Sequence, residues 1–237
     1  MNKKYLFILC PPFCGSTLIY KIIHTSPNVS TLIGNNNWVG EGQWLLEKNG
    51  IKDFEKNRNN PDFDFSMKKF KNIFDKYWDE NKKIHCDKSP SNIFRAKKIE
   101  DYFSNFGEVF FIIMMRNPYS CKSLNPNDWI KFAKSQKINC ETLNNKIIIY
   151  YEDLILNKNY VKKKIIDFIP DLINIDFNVG FIKKLPIDNN PDTLFAMRDR
   201  IKPINSKYLR IIGKERKNKI FKDYIQLLNY FNYDFIT

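Results

Sequence analysis

The segment from Pro11 to Leu18 reads PPFCGSTL and combines a glycine with two hydroxyl side chains. It follows an apolar run and precedes an amphipathic one, which is typical of a loop that joins a β-strand to a helix. Backbone N–H groups at such a helix N-terminus bind phosphate or sulfate, and the hydroxyls of Ser16 and Thr17 add donors. Gly15 lets the backbone approach the anion closely. An ordinary turn capped by serine and threonine fits the same residues, so both interpretations stay open for this segment alone.

This loop differs from the Walker loop of nucleoside triphosphatases, G-x-x-x-x-G-K-[ST]. It contains one glycine, and Ser16 stands where the Walker lysine should be. The longest apolar run, 109–115, ends in Arg116 and not in an aspartate that would hold Mg²⁺. The missing lysine counts against a P-loop kinase that uses ATP and Mg²⁺. An arginine at a strand end suits a second anionic group better than it suits a metal ion.

Apolar patterning indicates the elements that must position these residues. Strands are predicted at 4–10, 83–87, 109–115 and 146–151, and helices at 16–25, 66–81, 91–103, 152–169 with a break near Asn157, and 215–231. Loops are expected around the asparagine run 35–37, at 49–62, and more broadly within 34–66 and 124–145. Strands that alternate with helices predict an α/β fold with a central parallel sheet between two helical layers. Residues 1–237 are interpreted as one domain.

Composition and charge restrict the partners. The chain has 237 residues, of which 43% are hydrophobic and 15% aromatic, so it is not mainly disordered. A net charge of +13 favours an anionic partner such as nucleic acid, acidic lipid or a small polyanion. The basic residues are spread along the whole chain, which weakens the case for a nucleic-acid-binding protein. A partner other than nucleic acid is therefore expected.

The cysteines and histidines do not indicate a metal site or a disulfide framework. Five cysteines, an odd and scattered set, favour a reducing compartment. The residues nearest to a zinc pattern lack its paired spacing; they are Cys10, Cys14, His24, His85 and Cys86. The start of the chain resembles a short lipoprotein signal, but its apolar run has only six residues and bulky Leu9 precedes Cys10. With no stretch near the ~20 apolar residues of a membrane span, a soluble, cytoplasmic protein is expected.

Five segments in this order resemble the sulfotransferases that use 3′-phosphoadenosine 5′-phosphosulfate (PAPS). They are the loop PPFCGSTL, Asp87-Lys88-Ser89-Pro90, Met115-Arg116-Asn117-Pro118, Tyr151-Glu152-Asp153-Leu154, and a tail with Ile201-Lys202-Pro203-Ile204-Asn205, Leu209, Gly213-Lys214 and Tyr233-Asp234. The tail resembles the tyrosylprotein sulfotransferase branch, as do Ser26-Pro27-Asn28-Val29 and Gly40-Glu41. The resemblance implies the P-loop nucleoside-triphosphate-hydrolase-like topology of that family.

The resemblance also implies a cosubstrate and its binding residues. The cosubstrate would be PAPS and its product 3′-phosphoadenosine 5′-phosphate (PAP), with no metal required. The acceptor would carry a hydroxyl group, on a sugar, a small molecule or a protein tyrosine. The residues implied to bind the 5′-phosphosulfate are Cys14, Gly15, Ser16, Thr17 and Leu18. Those implied to grip the 3′-phosphate or lie near the nucleotide are Arg116, Ser123, Tyr151, Lys202, Asn205 and Arg210.

Two residues are implied to act in catalysis. Gly40-Glu41 matches the Gly-Glu segment of the tyrosylprotein branch, so Glu41 would take the proton of the acceptor hydroxyl. The alternative is a solvated loop glutamate. Lys88 matches the lysine that stabilises the sulfuryl group or the leaving oxygen, and its alternative is a surface lysine at a strand end.

The chain departs from the family pattern at two places. Phe13 stands where many members have Lys or Arg, which leaves open a degenerate relative that binds nucleotide without turnover. Position 124 is a leucine where the 3′-phosphate serine usually lies. Ser123 is therefore assigned that role, with Ser120 in reserve.

Overall fold

The computed structural model describes residues 2–32, 40–121, 124–179 and 219–233. In this part of the chain a five-stranded sheet is built from β1 Lys4–Leu9, β2 Val29–Ser30, β3 Ile84–Asp87, β4 Glu108–Met115 and β5 Lys146–Tyr150. The strands run parallel in the order β2-β3-β1-β4-β5. The predicted α/β fold with a central parallel sheet is confirmed.

Helices connect the strands. They are α1 Ser16–His24, α2 Gln43–Lys48, α3 Phe54–Asn57, α4 Met67–Phe74, α5 Ala96–Phe103, α6 Pro126–Thr142, α7 Tyr151–Leu156, α8 Lys158–Phe168 and α9 Lys219–Tyr230. Short 3₁₀ helices occupy Pro90–Arg95, Pro118–Ser120 and Pro170–Leu172. The predicted break at Asn157 is confirmed, because it separates α7 from α8. No helix among the described residues is both long and apolar enough to cross a membrane.

The predicted loop at 124–145 is wrong, since most of it is the 17-residue helix α6. Its N-terminus is capped by Asn125, whose side chain accepts a hydrogen bond from the backbone N–H of Asp128 at 2.9 Å. Trp129, Ala133 and Gln136 follow at helical spacing and are fully buried. The lysines and asparagines between them hide this apolar face in the sequence. The expected loops within 34–66 likewise contain the short helices α2 and α3, and α4 ends at Phe74 rather than at residue 81.

The sheet order brings the ends of four strands together. β1 lies between β3 and β4, with Phe7 beside Asp87 and Leu9 beside Ile113. The connections that follow β1 and β4 lead in opposite directions across the sheet, and such a reversal opens a crevice outside the carboxyl ends of the strands. The residues that follow β1, β3, β4 and β5 therefore meet at one edge. This edge carries the predicted site.

Candidate functional site

The loop after β1 begins helix α1 through a glycine in the left-handed region. Gly15 has φ +96°, and no side chain caps the helix. The backbone N–H of Leu18 donates to the Gly15 carbonyl at 3.0 Å and that of Cys14 to the Pro11 carbonyl at 3.3 Å, so two of the predicted binding residues use their amides within the loop. A methyl group at Gly15 would lie 2.5 Å from Cδ2 of Tyr151, closer than any real contact. The loop therefore packs directly on the Tyr151 ring. The predicted anion cradle at Gly15, Ser16 and Thr17 lies in this loop, and the binding of an anion there stays a prediction.

Phe13 precedes this cradle in an unusual conformation. Its φ is +64°, a value that bulky residues seldom adopt, and its side chain is 60% exposed. Its carbonyl oxygen accepts a hydrogen bond from Nη1 of Arg116 at 3.1 Å. Arg116 therefore stabilises a strained loop backbone from the neighbouring strand end.

Arg116 is buried at the end of β4 and is held by neutral groups. Its Nε donates to Oγ of Ser120 at 3.0 Å, and its Nη2 donates to the Ser120 carbonyl at 3.1 Å. The guanidinium lies 3.9 Å from the centroid of the Tyr151 ring. Among the described residues no carboxylate forms an ion pair with it. The hydrogen-bond partners of Arg116 are thus neutral, but its charge acts on Glu152: burial raises the pKa of that carboxyl group, and Arg116 offsets part of the effect.

Ser120, the reserve choice for the 3′-phosphate, contacts Arg116 directly. The first choice, Ser123, lies outside the described residues. So do Lys202, Asn205 and Arg210, whose predicted nucleotide contacts stay predictions. The structure does place Tyr151 between Gly15 and Arg116, in contact with both predicted anion-binding segments.

Lys88 and Glu41 form a buried ion pair at the end of β3. The Lys88 side chain is 1% exposed, and its Nζ donates to Oε1 of Glu41 at 2.7 Å. The second oxygen, Oε2, accepts from Nε2 of Gln43 at 2.6 Å and from Nε1 of Trp44 at 3.0 Å. The two residues are 47 positions apart in the chain. The structure therefore brings the two predicted catalytic residues into direct contact.

Asp87 holds the segments on both sides of this ion pair by hydrogen bonds. Its carboxylate accepts from the Gly42 amide at 2.9 Å, from Nδ2 of Asn92 at 2.6 Å and from the Ser89 hydroxyl at 3.1 Å. Burial raises the pKa of Asp87 to about 6, although these hydrogen bonds and the charge of Lys88 offset part of the effect. A methyl group at Gly42 would lie 2.8 Å from Oδ1 of Asp87 and 2.2 Å from the Phe74 ring, so only glycine fits.

The thiols of the site are neutral. Burial raises the pKa of Cys10 to about 12, partly offset by the charge of Lys88 and by hydrogen bonds from Ser16. The pKa of Cys14 lies well above its ordinary value, because its thiol forms a hydrogen bond with the thiol of Cys121 and because it is buried. Neither thiol is poised as a nucleophile.

A buried carboxylate also supports the end of β4. Oε1 of Glu152 accepts from the backbone N–H of Asn117 at 3.0 Å, and burial raises the pKa of Glu152. The hydroxyl of Tyr233, which follows α9, lies 3.5 Å from the other oxygen of Glu152. The C-terminal part of the described chain therefore contacts the segment that holds Arg116.

The histidines lie in packing or hydrogen-bonded positions. His85 stacks on Trp78 with ring centroids 4.9 Å apart, and Nδ1 of His24 lies 2.7 Å from the Thr31 hydroxyl. Within the described ranges, no group of three or more His, Cys, Asp or Glu residues is arranged to hold a metal ion.

Gln43 is the residue of this site that sequence reasoning missed. It is buried and it contacts Glu41, yet no sequence motif marks it. Its position two residues after the Gly40-Glu41 segment is the one signal that could have suggested it.

One comparison with a solved structure supports the fold. No protein-family model matches the chain, and a search of curated proteins finds no match. Among solved structures, the sulfotransferase domain of the Synechococcus PCC 7002 olefin synthase is similar, with 17% identity, a TM-score of 0.54, and coverage of 99% of this chain and 96% of that chain. A sulfotransferase from Alicyclobacillus acidocaldarius is 11% identical with a TM-score of 0.47, over 99% of this chain and 98% of its own. The chain thus has the fold of the olefin synthase sulfotransferase domain.

Proposed function

We propose that the chain is a PAPS-dependent sulfotransferase, which moves a sulfuryl group from PAPS to an acceptor hydroxyl. One observation carries the proposal: the fully buried Lys88 forms an ion pair with Glu41 at the sheet edge where the predicted anion cradle at Gly15 lies. A cation and a carboxylate in contact are the two groups that sulfuryl transfer to a hydroxyl requires.

The residues present fit such a nucleotide. PAPS carries charge at two places, and we assign them to two neighbouring groups of residues at this sheet edge. The loop around Gly15 supplies backbone amides, while Arg116 supplies a fork of N–H donors that matches a phosphate. Gly15 allows the loop to pack against Tyr151, whose ring also contacts Arg116.

Each residue then has a defined task in the reaction. Glu41 accepts the proton of the acceptor hydroxyl as the new S–O bond forms. Lys88 neutralises charge as the bond between sulfur and the phosphate oxygen breaks and PAP leaves. In-line transfer of this kind depends mainly on positioning and on electrostatic stabilisation, by analogy with phosphoryl transfer.

A thermal-shift comparison tests the proposal. PAP should raise the melting temperature, and adenosine 5′-phosphosulfate, which lacks the 3′-phosphate, should raise it much less. The shift with PAP should be the same with Mg²⁺ and with EDTA. Equal shifts from both nucleotides would remove Arg116 from the 3′-phosphate site. A response to ATP and Mg²⁺ that EDTA abolishes would favour a P-loop kinase instead.

A second candidate is a degenerate relative that binds the nucleotide without transferring sulfate. The exposed Phe13 favours this degenerate relative, because a phenylalanine at this position of the loop supplies no cation to the sulfuryl group. A single-turnover measurement with labelled PAPS and a panel of sugar, phenol and tyrosine-peptide acceptors separates the two. Tight PAP binding with no transfer to any acceptor in the panel would support the degenerate relative.

A further inference from the structure

We propose that Gln43 is a positioning residue, which fixes the Glu41 carboxylate in the orientation that faces Lys88. The catalytic meaning of this arrangement rests on the sulfotransferase function proposed above. The arrangement itself is tested without nucleotide or acceptor.

Gln43 joins the two segments that carry the catalytic pair. Its Nε2 donates to Oε2 of Glu41 at 2.6 Å, and its Oε1 accepts from the backbone N–H of Ser91 at 3.3 Å. Its own backbone N–H donates to the Ser89 hydroxyl at 3.0 Å. Ser89 and Ser91 lie one and three positions after Lys88, so Gln43 binds Glu41 and links its segment to the Lys88 segment by two further hydrogen bonds.

The orientation of the Gln43 amide follows from its neighbours. A carboxylate only accepts hydrogen bonds, and a backbone N–H only donates. The amide group therefore satisfies both partners in one way only, with its NH₂ toward Glu41 and its oxygen toward Ser91. The side chain is 5% exposed, so a reversed amide would leave both ends unsatisfied away from water.

The two oxygens of the Glu41 carboxylate have different partners. Gln43 and Trp44 both donate to Oε2, whereas Lys88 alone of the three donates to Oε1. With Oε2 held from one side, rotation of the carboxylate is restricted, and Oε1 stays directed at Lys88. If an incoming anion attracts Lys88, the Gln43 contact keeps the carboxylate in place.

The substitution Gln43→Glu changes this one contact with the least change in shape. The new carboxylate still accepts from the Ser91 N–H, but it presents an oxygen to Glu41 where an N–H donor stood. Two carboxylates at hydrogen-bond distance do not both ionise, so they share one proton. Glu41 in this variant should therefore take up a proton at higher pH.

The indole N–H of Trp44 reports on Glu41 by NMR, because it donates to the same carboxylate oxygen. The chain has four tryptophans, and the Trp44→Phe variant identifies the resonance by its disappearance. In a pH titration of the full chain, Gln43→Glu should move the midpoint of the Trp44 N–H shift upward by about one pH unit or more. Gln226→Glu, which adds the same charge on the exposed face of α9, should leave the midpoint unchanged.

A midpoint that does not move in Gln43→Glu, in a protein whose other amide resonances stay in place, overturns the proposal. If Gln43→Glu does not fold, Gln43→Met provides the same test, because loss of a donor to the carboxylate also moves the midpoint upward. An unchanged midpoint in Gln43→Met would equally overturn it. Failure of PAP to bind would contradict the proposed function without affecting this titration, so the two failures are distinguishable.

Discussion

The ends of β3 and β4 each carry a buried cation, but the two cations have different surroundings. Lys88 at the end of β3 bonds to the carboxylate of Glu41. Arg116 at the end of β4 is held by Ser120, by the Phe13 carbonyl and by the face of Tyr151. Within the described residues, Lys88 donates directly to a carboxylate, whereas Arg116 donates to neutral groups and acts on the Glu152 carboxylate only through its charge.

This difference indicates a division of tasks. A guanidinium whose hydrogen-bond partners are neutral is less compensated than a cation in a direct ion pair, so the β4 end suits ground-state binding. A lysine that is already paired gains less from an anion, and its partner is a proton acceptor, so the β3 end suits the transfer step. Four experiments test this difference between the β3 end and the β4 end, and they follow in order of expected effect, the largest first.

The first test removes the proton acceptor at the β3 end. Glu41→Gln keeps the shape of the side chain, so PAP should bind with nearly unchanged Kd. Single-turnover transfer to a competent acceptor should fall by ~10²–10⁴-fold, the usual contribution of a positioned general base. Lys88→Ala should reduce the rate and also weaken PAPS binding.

Glu55→Gln on α3, an exposed glutamate, is the control and should change neither quantity. Near wild-type turnover in Glu41→Gln would exclude Glu41 as the base, and Asp87, His24 and His85 would become the candidates.

The second test removes the cation at the β4 end. Arg116→Ala should weaken PAP binding by about 2–4 kcal/mol, or about 30- to 1,000-fold in Kd, the range for loss of a charge-assisted contact. Titration calorimetry measures this directly. Lys98→Ala removes an exposed charge from α5 and should leave the Kd within about twofold. Equal Kd values for the Arg116 and Lys98 variants would contradict the division of tasks.

The third test uses the pH dependence of Asp87. Because its folded-state pKa of about 6 lies above the ordinary value of 3.8, protonation favours the folded state. This contribution to stability is complete below about pH 4 and is lost as the pH rises through 6, by about 3 kcal/mol in total.

Asp87→Asn cannot titrate, so its stability relative to the unmodified protein should rise from pH 4 to pH 7 in urea unfolding. His85, whose pKa burial lowers to about 4, acts in the opposite direction but is present in both proteins and cancels. A difference that stays constant over this range would show that Asp87 titrates normally.

The fourth test concerns the anion cradle shared by both ends. Gly15→Ala should cost about 1–2 kcal/mol of unfolding free energy from its left-handed backbone, and more from the contact with Tyr151. It should also weaken PAP binding. Gly50→Ala is a matched control, because Gly50 has φ +92° but its nearest neighbour is the flexible end of Lys69 at 3.3 Å. Loss of PAP affinity in both variants alike would show that the cradle has no specific role.

Much of the fold was predictable because the buried strands are apolar without interruption. The run 109–115 and the run from 146 gave β4 and β5 nearly to the residue. β2 was not predicted, since two residues carry no periodic signal. Helix α6 was missed because it buries Gln136 and Asn139 along with its apolar side chains, and polar residues with internal hydrogen-bond partners do not mark a buried face.

The site was predictable only in part. Glu41, Lys88 and Arg116 were identified by resemblance, and the structure places all three at one sheet edge. Gln43 was not identified, because its role depends on a contact with Ser91, which the chain reaches 48 positions later.

The sequence by itself determined which residues end the strands and where the chain turns, because strand and helix patterns are local. Only the tertiary structure decided that Lys88 has a counter-ion and that Arg116 is held by neutral groups. The sheet order sets this difference: β3 lies next to β1 on the side where the Glu41 segment returns, and β4 lies on the other side beside Tyr151. Which charges meet is a property of non-local pairing, and no local pattern in the sequence records it.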